Sequence, residues 1–138
     1  MHDANCIFCK IAAGIVPSEI VFENERTLAF LDNTPVNKGH TLVIPKVHTT
    51  NILTITQEDL AAVMETVRIL APRVKSATNA GGVNVIMNNE APAGQVVFHS
   101  HTHIIPRFEN DGFRHWHGTT YGEGEMEAIG AMIRSQTA

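Results

Sequence analysis

The sequence predicts an antiparallel α+β domain in which one main helix packs on a single sheet. About five short segments have the alternation or β-branched composition of strands, and one long segment repeats apolar residues every three or four positions. Turn-forming residues join the strands over distances typical of hairpins. A doubly wound fold would need several helices between parallel strands, and only one long helical pattern is present. We therefore expect a five-stranded antiparallel sheet, one main helix and a short C-terminal helix.

The first third of the chain predicts a short helix followed by three strands. Residues 6–13 have the pattern of a short helix or turn that ends at Gly14. Residues 19–23 and 27–32 are two strand patterns joined by a tight turn, and residues 40–45 predict a third strand. Residues 33–39 contain the Asn, Pro and Gly types of a turn-rich loop.

The main helix is predicted over residues 56–77. Its apolar residues recur at spacings of three and four, which gives the segment one apolar face. Thr56 is the expected N-cap, with Asp59 three residues later where a capping box usually has Glu or Gln. Pro72 lies inside the pattern, and we expect it to kink or weaken the helix.

The remaining elements complete the sheet and add a tail. Residues 83–88 and 97–105 predict two more strands, and residues 125–134 predict a short terminal helix after a polar, glycine-rich stretch. We expect one domain over residues 1–138, with a core over residues 6–107 and a tail over residues 108–138.

Composition narrows the classes of partner. At 138 residues, with 43% hydrophobic and 17% charged residues, the chain can bury a core without disulfides. No stretch approaches the roughly 20 apolar residues of a membrane span, and the first residues lack the features of a signal peptide, so we expect a cytoplasmic protein with reduced thiols. A net charge of −4 with dispersed basic residues argues against duplex nucleic acid. A small anion held by backbone N–H groups remains possible.

Three alternate histidines are the strongest chemical signal. In a strand, His99, His101 and His103 would share one face about 6.6 Å apart. Such histidines can also be ordinary polar residues hydrogen-bonded within the strand, or part of a purification tag. This cluster, however, is internal and flanked by β-formers. The row suits either a metal site or nucleophilic attack on phosphorus by the central ring. A catalytic zinc would usually need a nearby acidic base, and the strand contains none.

Two neighbouring features add to this signal. Gly94 and Gln95 precede the histidines at a turn whose N–H groups would suit a phosphate, although a plain hairpin turn is the commoner meaning. Cys6 and Cys9 have the spacing at which two thiolates bind one zinc ion. A redox pair would instead follow a strand of a βαβ unit, which this chain lacks.

Residues 95–107 resemble the signature of the histidine triad (HIT) family. Residues 6–11, 20–32 and 35–48 are similar in order and spacing to its Hint-like branch of bacterial type. The resemblance implies a small α+β domain that dimerises by joining two five-stranded sheets, a fold that agrees with the strand count. It also implies binding of nucleoside monophosphates and cleavage at the α-phosphate.

Carried over, the resemblance makes His101 the nucleophile and His103 a contact to phosphate oxygen. Asp32 would accept the ribose hydroxyls, although it also suits a turn at the end of a strand. The implied apolar slot could equally be core. The residues expected around the nucleotide are Phe8, Ile11, Phe30, Asp32, Asn33, Asn88, Gly94, Gln95, Val96 and His103.

Two further expectations follow from the resemblance. A structural zinc would join Cys6 and Cys9 to His48 and His99. Val96 departs from the family pattern, because many members have Ser or Thr there to assist the leaving group. The backbone N–H of Val96 can still donate to phosphate.

The leading hypothesis is a dimeric nucleotide hydrolase or transferase acting on purine nucleoside phosphoramidates or related compounds. The alternative is a nucleotide-binding regulatory or scaffold protein with little turnover. Val96 favours this alternative, because it provides no hydroxyl to assist the leaving group. A third interpretation is a metalloenzyme with zinc on all three triad histidines. The tail segment His115-Trp116-His117 either approaches the nucleotide or lies on the surface, and neither the leaving group nor the base preference follows from the sequence.

Overall fold

The computed structural model describes residues 3–114 and 116–136 and has the predicted α+β architecture. The helices are α1 (Ile7–Ala12), α2 (Gln57–Thr78) and α3 (Glu125–Ser135). The strands are β1 (Ile20–Glu23), β2 (Thr27–Leu31), β3 (Thr41–Pro45), β4 (Gly82–Ile86) and β5 (Thr102–Arg107). They form one antiparallel sheet in the order β1-β2-β3-β5-β4. The five-stranded sheet, the main helix and the short C-terminal helix are therefore confirmed.

The main helix covers one face of the sheet. Its buried residues Val63, Val67, Leu70 and Val74 follow the three-and-four spacing of the sequence and pack on strand residues that include Val43. Burial of each such aliphatic side chain contributes about 1.5 to 3 kcal/mol. The helix therefore packs on the central strands and covers this face of the sheet.

Both ends of α2 are capped as the residue types suggest. Thr56 accepts a hydrogen bond from the backbone N–H of Asp59 at 3.1 Å, which confirms the expected N-cap. The C-cap Asn79 has the left-handed conformation, with a φ of 55°. Pro72 lies inside the helix, which continues to Thr78, so Pro72 does not end it.

The opposite face of the sheet is covered by α1. Phe8 and Ile11 pack there with Leu28, Phe30 and Leu42 in a second buried cluster. This face, rather than the face under α2, carries the cavity described below.

The expectation of three histidines in one strand is wrong. Strand β5 begins only at Thr102, so His99 and His101 precede it and His103 alone lies in the strand, paired with Leu42 and Ile86. The backbone N–H of Ser100 bonds the Thr49 carbonyl at 2.6 Å, away from the ladder. The His99 carbonyl is likewise taken by the side chain of His101. Because these backbone groups serve partners outside the sheet, His99 and His101 are not held in the ladder to which His103 belongs.

The tail extends away from the core. Helix α3 contains no buried residue, and the side chain of Trp116 is 87% exposed, which supports the surface interpretation of this segment. His115 and the first two residues of the chain lie outside the described residues, so the tail motif is placed only in part. Within the described residues, no helix is long and apolar enough to cross a membrane.

Candidate active site

A cavity of about 720 Å³ opens between α1, the segment before β1, the end of β2, and the loop over residues 88–97. Apolar side chains of α1 and β2 line part of it, and two triad histidines with several polar residues line the rest. Of the expected nucleotide residues, the cavity is lined by Phe8, Ile11, Phe30, Asp32, Asn33, Asn88, Gly94, Val96 and His103. His101 also lines it.

The apolar lining is also part of the core. Phe8 and Ile11 stand three positions apart on α1, so both face the sheet, and the Phe8 ring meets Phe30 edge-on at 5.4 Å between centroids. All three side chains are buried in the cluster beneath α1 and border the cavity as well. The sequence left core and slot as alternatives, and the structure places these residues in the core and at the wall of the cavity.

The His101 ring has a defined tautomer. Its Nδ1 atom lies 2.6 Å from the His99 carbonyl oxygen, and since a carbonyl only accepts, Nδ1 carries the proton. The lone pair of this ring therefore resides on Nε2. Burial lowers the pKa of His101, so the ring is neutral near pH 7. The edge of Phe8, with ring centroids 5.2 Å apart, supports the ring from the side.

His103 is oriented by a histidine to which the sequence analysis gave no role. The backbone N–H of Val36 donates to Nδ1 of His40 at 3.3 Å, so the His40 proton is on Nε2. His40 Nε2 then donates to Nδ1 of His103 across 2.8 Å. The remaining proton of His103 is therefore on its Nε2 atom.

The Nε2–H of His103 has no acceptor among the described residues. The Nε2 atom is buried, in a side chain that lines the cavity. Burial, reinforced by the neighbouring His101 and His40 rings, lowers the pKa of His103 to about 4. The cavity thus contains one neutral imidazole with a free lone pair and one neutral imidazole with a free N–H.

His40 itself is 3% exposed, and its Nδ1 lies 3.5 Å from Oδ2 of Asp32. Burial lowers the pKa of His40, although the Asp32 carboxylate opposes that effect. The one signal that the sequence offered for this residue was a histidine at the start of an apolar strand. Its pairing with His103 depends on the antiparallel register of β3 with β5, in which Leu42 lies opposite His103.

Asp32 is a turn-forming residue that also lines the cavity. Its Oδ1 atom accepts from the backbone N–H of Thr34 at 2.8 Å, as a turn-forming residue does. Its side chain also lines the cavity beside Asn33 and Thr34, where a carboxylate can accept two vicinal hydroxyls.

The loop that faces α1 divides its residues between cavity and core. Gly94 has a φ of 88°, a conformation that favours glycine, and it borders the cavity with Asn88. The Val96 side chain is 85% exposed at the cavity edge and offers no hydroxyl.

Gln95 does not join the cavity, contrary to expectation. Its buried side chain accepts from the Glu90 N–H at 2.8 Å and donates to the Thr50 carbonyl at 2.7 Å, and its own N–H bonds the Glu90 carbonyl. The Gln95 amide supplies the donor and acceptor that backbone N–H and C=O groups of the loop need, so it stabilises the loop conformation.

A second cluster stands directly behind the cavity. One donor atom from each of Cys6, Cys9, His48 and His99 lies within 4.8 Å of the others. His99 Nδ1 is 3.4 Å from Cys6 Sγ and 3.6 Å from Cys9 Sγ, and His48 Nδ1 is 3.4 Å from Cys9 Sγ. These four residues are the expected metal set.

The donor chemistry of this cluster fits zinc. His99 Nε2 lies 2.9 Å from the Pro45 carbonyl, so Nε2 carries the proton and the Nδ1 lone pair is directed at the thiols. Two thiols and two imidazoles are a donor set that tetrahedral zinc accepts. Burial raises the pKa of the Cys9 thiol, and a bound cation would reverse that effect.

Comparison with known proteins places this geometry in a family. A model of the HIT domain matches residues 13–110. The chain is 43% identical to a structure of a member of the HIT family from Bacillus subtilis, with a TM-score of 0.90 and coverage of 97% of this chain and 98% of that one. It is 38% identical to the adenosine 5'-monophosphoramidase hnt1 of Schizosaccharomyces pombe, covering 96% of this chain and 98% of that protein. A zinc-bound histidine triad family protein from Mycobacterium smegmatis is 32% identical, with a TM-score of 0.76 and coverage of 95% and 96%.

Proposed function

Since this chain belongs to the HIT domain family, in its bacterial Hint-like branch, we propose that it cleaves purine nucleoside phosphoramidates or related nucleotidyl compounds at the α-phosphate. One observation carries the proposal: His101 and His103 line the same cavity, with a lone pair on Nε2 of His101 and an unpartnered Nε2–H on His103. The similarity to an adenosine 5'-monophosphoramidase supports the phosphoramidate class.

The tautomers define the first step. His101 Nε2 attacks the α-phosphorus, a phosphorus–nitrogen bond forms to the ring, and the bond to the leaving group breaks with its electron pair on that group. His103 donates its Nε2–H to a phosphoryl oxygen, where negative charge grows in the transition state. The leaving amine takes a proton from solvent as it departs.

Water completes the cycle. It attacks the phosphorus of the nucleotidyl-histidine, the phosphorus–nitrogen bond to His101 breaks, and one proton of the water is released to solvent. The nucleoside monophosphate leaves while the ring regains its lone pair. An acceptor other than water would make the same step a transfer. The neutral His101 favours the first step, because an imidazolium has no lone pair to attack with.

Binding draws on the rest of the cavity. Phe8, Ile11 and Phe30 enclose the base, and the Asp32 carboxylate beside Asn33 accepts the ribose hydroxyls. Asn88, Gly94 and the backbone N–H of Val96 meet the phosphate. The Val96 side chain gives the leaving group no hydroxyl, so that group departs without help from this position.

We further propose that Cys6, Cys9, His48 and His99 hold a structural zinc ion. Their donor chemistry supports this, as does the similarity to a zinc-bound family member. When bound, the ion would tie the N-terminal segment to the chain in front of β5.

The chain also suits a homodimer built from single HIT domains over residues 1–138. Strand β4 is an edge strand of the sheet, and its residues Gly82–Ile86 contain no charge and no proline. An unprotected edge of this kind readily pairs with another strand. Pairing of two β4 strands would join two sheets into one.

Turnover of an adenosine phosphoramidate tests the proposal. We expect the wild-type protein to release AMP and the His101→Ala variant to lose the activity, with trapped nucleotidyl-protein detectable by mass only when His101 is present. His117→Ala removes an exposed histidine of the tail and is the matched control. Equal turnover by the wild type and His101→Ala would sink the mechanism.

A nucleotide-binding regulatory protein is the second candidate, and Val96 favours it. Without a hydroxyl at this position, the chemical step loses one source of help to the leaving group. Tight binding of AMP combined with turnover near the uncatalysed rate would select this candidate over the hydrolase.

A further inference from the structure

We propose that the Cys6, Cys9, His48 and His99 cluster is a positioning centre for the nucleophile, so that a metal ion held there raises the chemical rate and the affinity for nucleotide. The proposal rests on the proposed function for its kinetic readout. It goes beyond a structural zinc, because it assigns the cluster an effect on His101 and on the base slot.

His99 connects the two sites. Its Nδ1 atom faces both thiols, while its main-chain carbonyl accepts the Nδ1–H of His101 at 2.6 Å. The same residue therefore offers its ring to the metal and its backbone to the nucleophile. Any rotation of the chain at His99 changes the bond that keeps the lone pair of His101 on Nε2.

The His99 ring is held firmly enough to transmit this effect. The side chain is fully buried, and its Nε2–H bonds the Pro45 carbonyl at 2.9 Å at the end of β3. With the Nδ1 side also fixed by a metal, the ring would be held at both nitrogens. Without the metal, one of these two anchors is only a contact with the thiols, and the chain before β5 is not held by the sheet ladder.

Helix α1 provides a second connection. Cys9 lies on this helix between Phe8 and Ile11, which line the cavity. Phe8 also meets the His101 ring at 5.2 Å and the His99 ring at 6.0 Å, so one side chain touches the slot, the nucleophile and the metal set. A helix of only six residues is not stable alone, and a metal bond at Cys9 would hold it against the sheet.

These contacts predict an effect on chemistry as well as on folding. A shift of the nucleophile by a fraction of an ångström slows an in-line displacement, and outer-shell partners of this kind are typically worth about 10- to 100-fold in activity. We therefore expect kcat to fall by at least about 10-fold when the metal is removed, with a separate rise in the Kd for AMP.

The test compares protein loaded with zinc and protein depleted of metal, both under reducing conditions. Imidazole nitrogen NMR reads the Nδ1–H of His101 directly, without turnover. We expect this proton signal to be sharp in the zinc form and shifted or exchange-broadened in the depleted form. His48→Gln removes the histidine of the cluster that does not belong to the triad and should have the same effect.

Val67→Ala is the matched control. Val67 is buried in the α2 face of the sheet, away from the cluster, so this variant lowers the stability of the fold without touching either site. It should keep the zinc-form signal of His101 and the wild-type kcat. A fall in kcat that simply followed stability would appear in this variant too, and would overturn the proposal.

Cadmium covers the case in which depleted protein unfolds. The larger ion keeps the site filled, and we expect it to shift the His101 signal and change kcat in a folded protein. Identical His101 signals with zinc, with cadmium and without metal would show a stability role only and overturn the proposal, as would failure to bind zinc. If the NMR signals respond but no form turns over phosphoramidate, the hydrolase function fails while the positioning role stands.

Discussion

Replacement of His40 by Ala tests whether His103 is oriented through a hydrogen bond from its neighbour. The variant removes the Nε2–H that meets His103 Nδ1 at 2.8 Å in a buried setting. His103 is then free to move its proton to Nδ1, which leaves no donor on the Nε2 atom that faces the cavity. The predicted loss falls on the transition state, where phosphoryl charge needs that donor.

Two magnitudes follow from this geometry. Loss of one preorganised donor to a developing oxyanion costs about 100- to 1000-fold in kcat, so we expect kcat/KM for adenosine phosphoramidate to fall by about 100-fold or more. The buried Nδ1 of His103 loses its partner as well, which lowers the free energy of unfolding by about 1 to 3 kcal/mol. Steady-state kinetics and urea denaturation measure the two effects separately.

His40→Gln is the decisive companion variant. The Gln amide can place an N–H near the position of the His40 Nε2–H, so it should recover a substantial part of the activity that His40→Ala loses. The kcat/KM of the double variant His40→Ala, His103→Ala should be little lower than that of His103→Ala alone, because both changes remove the same donor, the Nε2–H of His103. Wild-type kcat/KM in His40→Ala, or additive losses in the double variant, would refute the orientation by His40.

Three further predictions address other parts of the site. Val96→Ser should raise kcat with poor leaving groups, because the new hydroxyl can protonate them, and an unchanged kcat would mean that this side chain does not reach the leaving group. Asp32→Ala should weaken binding of AMP more than binding of 2'-deoxy-AMP, measured by calorimetry, and equal losses would argue against a ribose contact. The unfolded chain binds a proton on His103 below about pH 6.5, whereas the folded pKa is about 4 under the influence of burial, His101, His40 and the opposing Asp32 charge. The stability that neutral His103 contributes is therefore complete above pH 6.5 and is lost as pH falls towards 4. In urea denaturation, we expect the free energy of unfolding to be lower by about 2 kcal/mol at pH 5 because of this group. His103→Gln should reduce that loss.

The sequence was most informative where the signal is local. Apolar spacing in α2 and the alternation in the strands report which side of an element is buried, and this depends on residues a few positions apart. The order and type of the three α-helices and five strands were predictable for that reason. The N-cap at Thr56 was likewise predictable, because its partner Asp59 is only three residues away.

The histidine segment shows where local reasoning fails. Alternation from Val97 to Ile105 predicts one strand, but the backbone at His99 and Ser100 bonds groups outside the ladder, so β5 starts at Thr102. Gln95 was misplaced for a similar reason. Its amide is consumed by the carbonyl of Thr50, which lies 45 positions earlier in the chain.

The sequence by itself determined the fold class and the Cys6 and Cys9 pair, because residue type and spacing carry that information. His48, His99 and the candidates for the nucleotide pocket came from the resemblance to the HIT family. Tertiary structure alone decided the tautomers: His101 has its lone pair on Nε2, and His103 has its proton there. The physical reason is that a ring proton is located by its hydrogen-bond partner, and the His40 that orients His103 lies 63 positions away. The same holds for the approach of Cys6 to His99 across 93 positions, which only the folded sheet brings about.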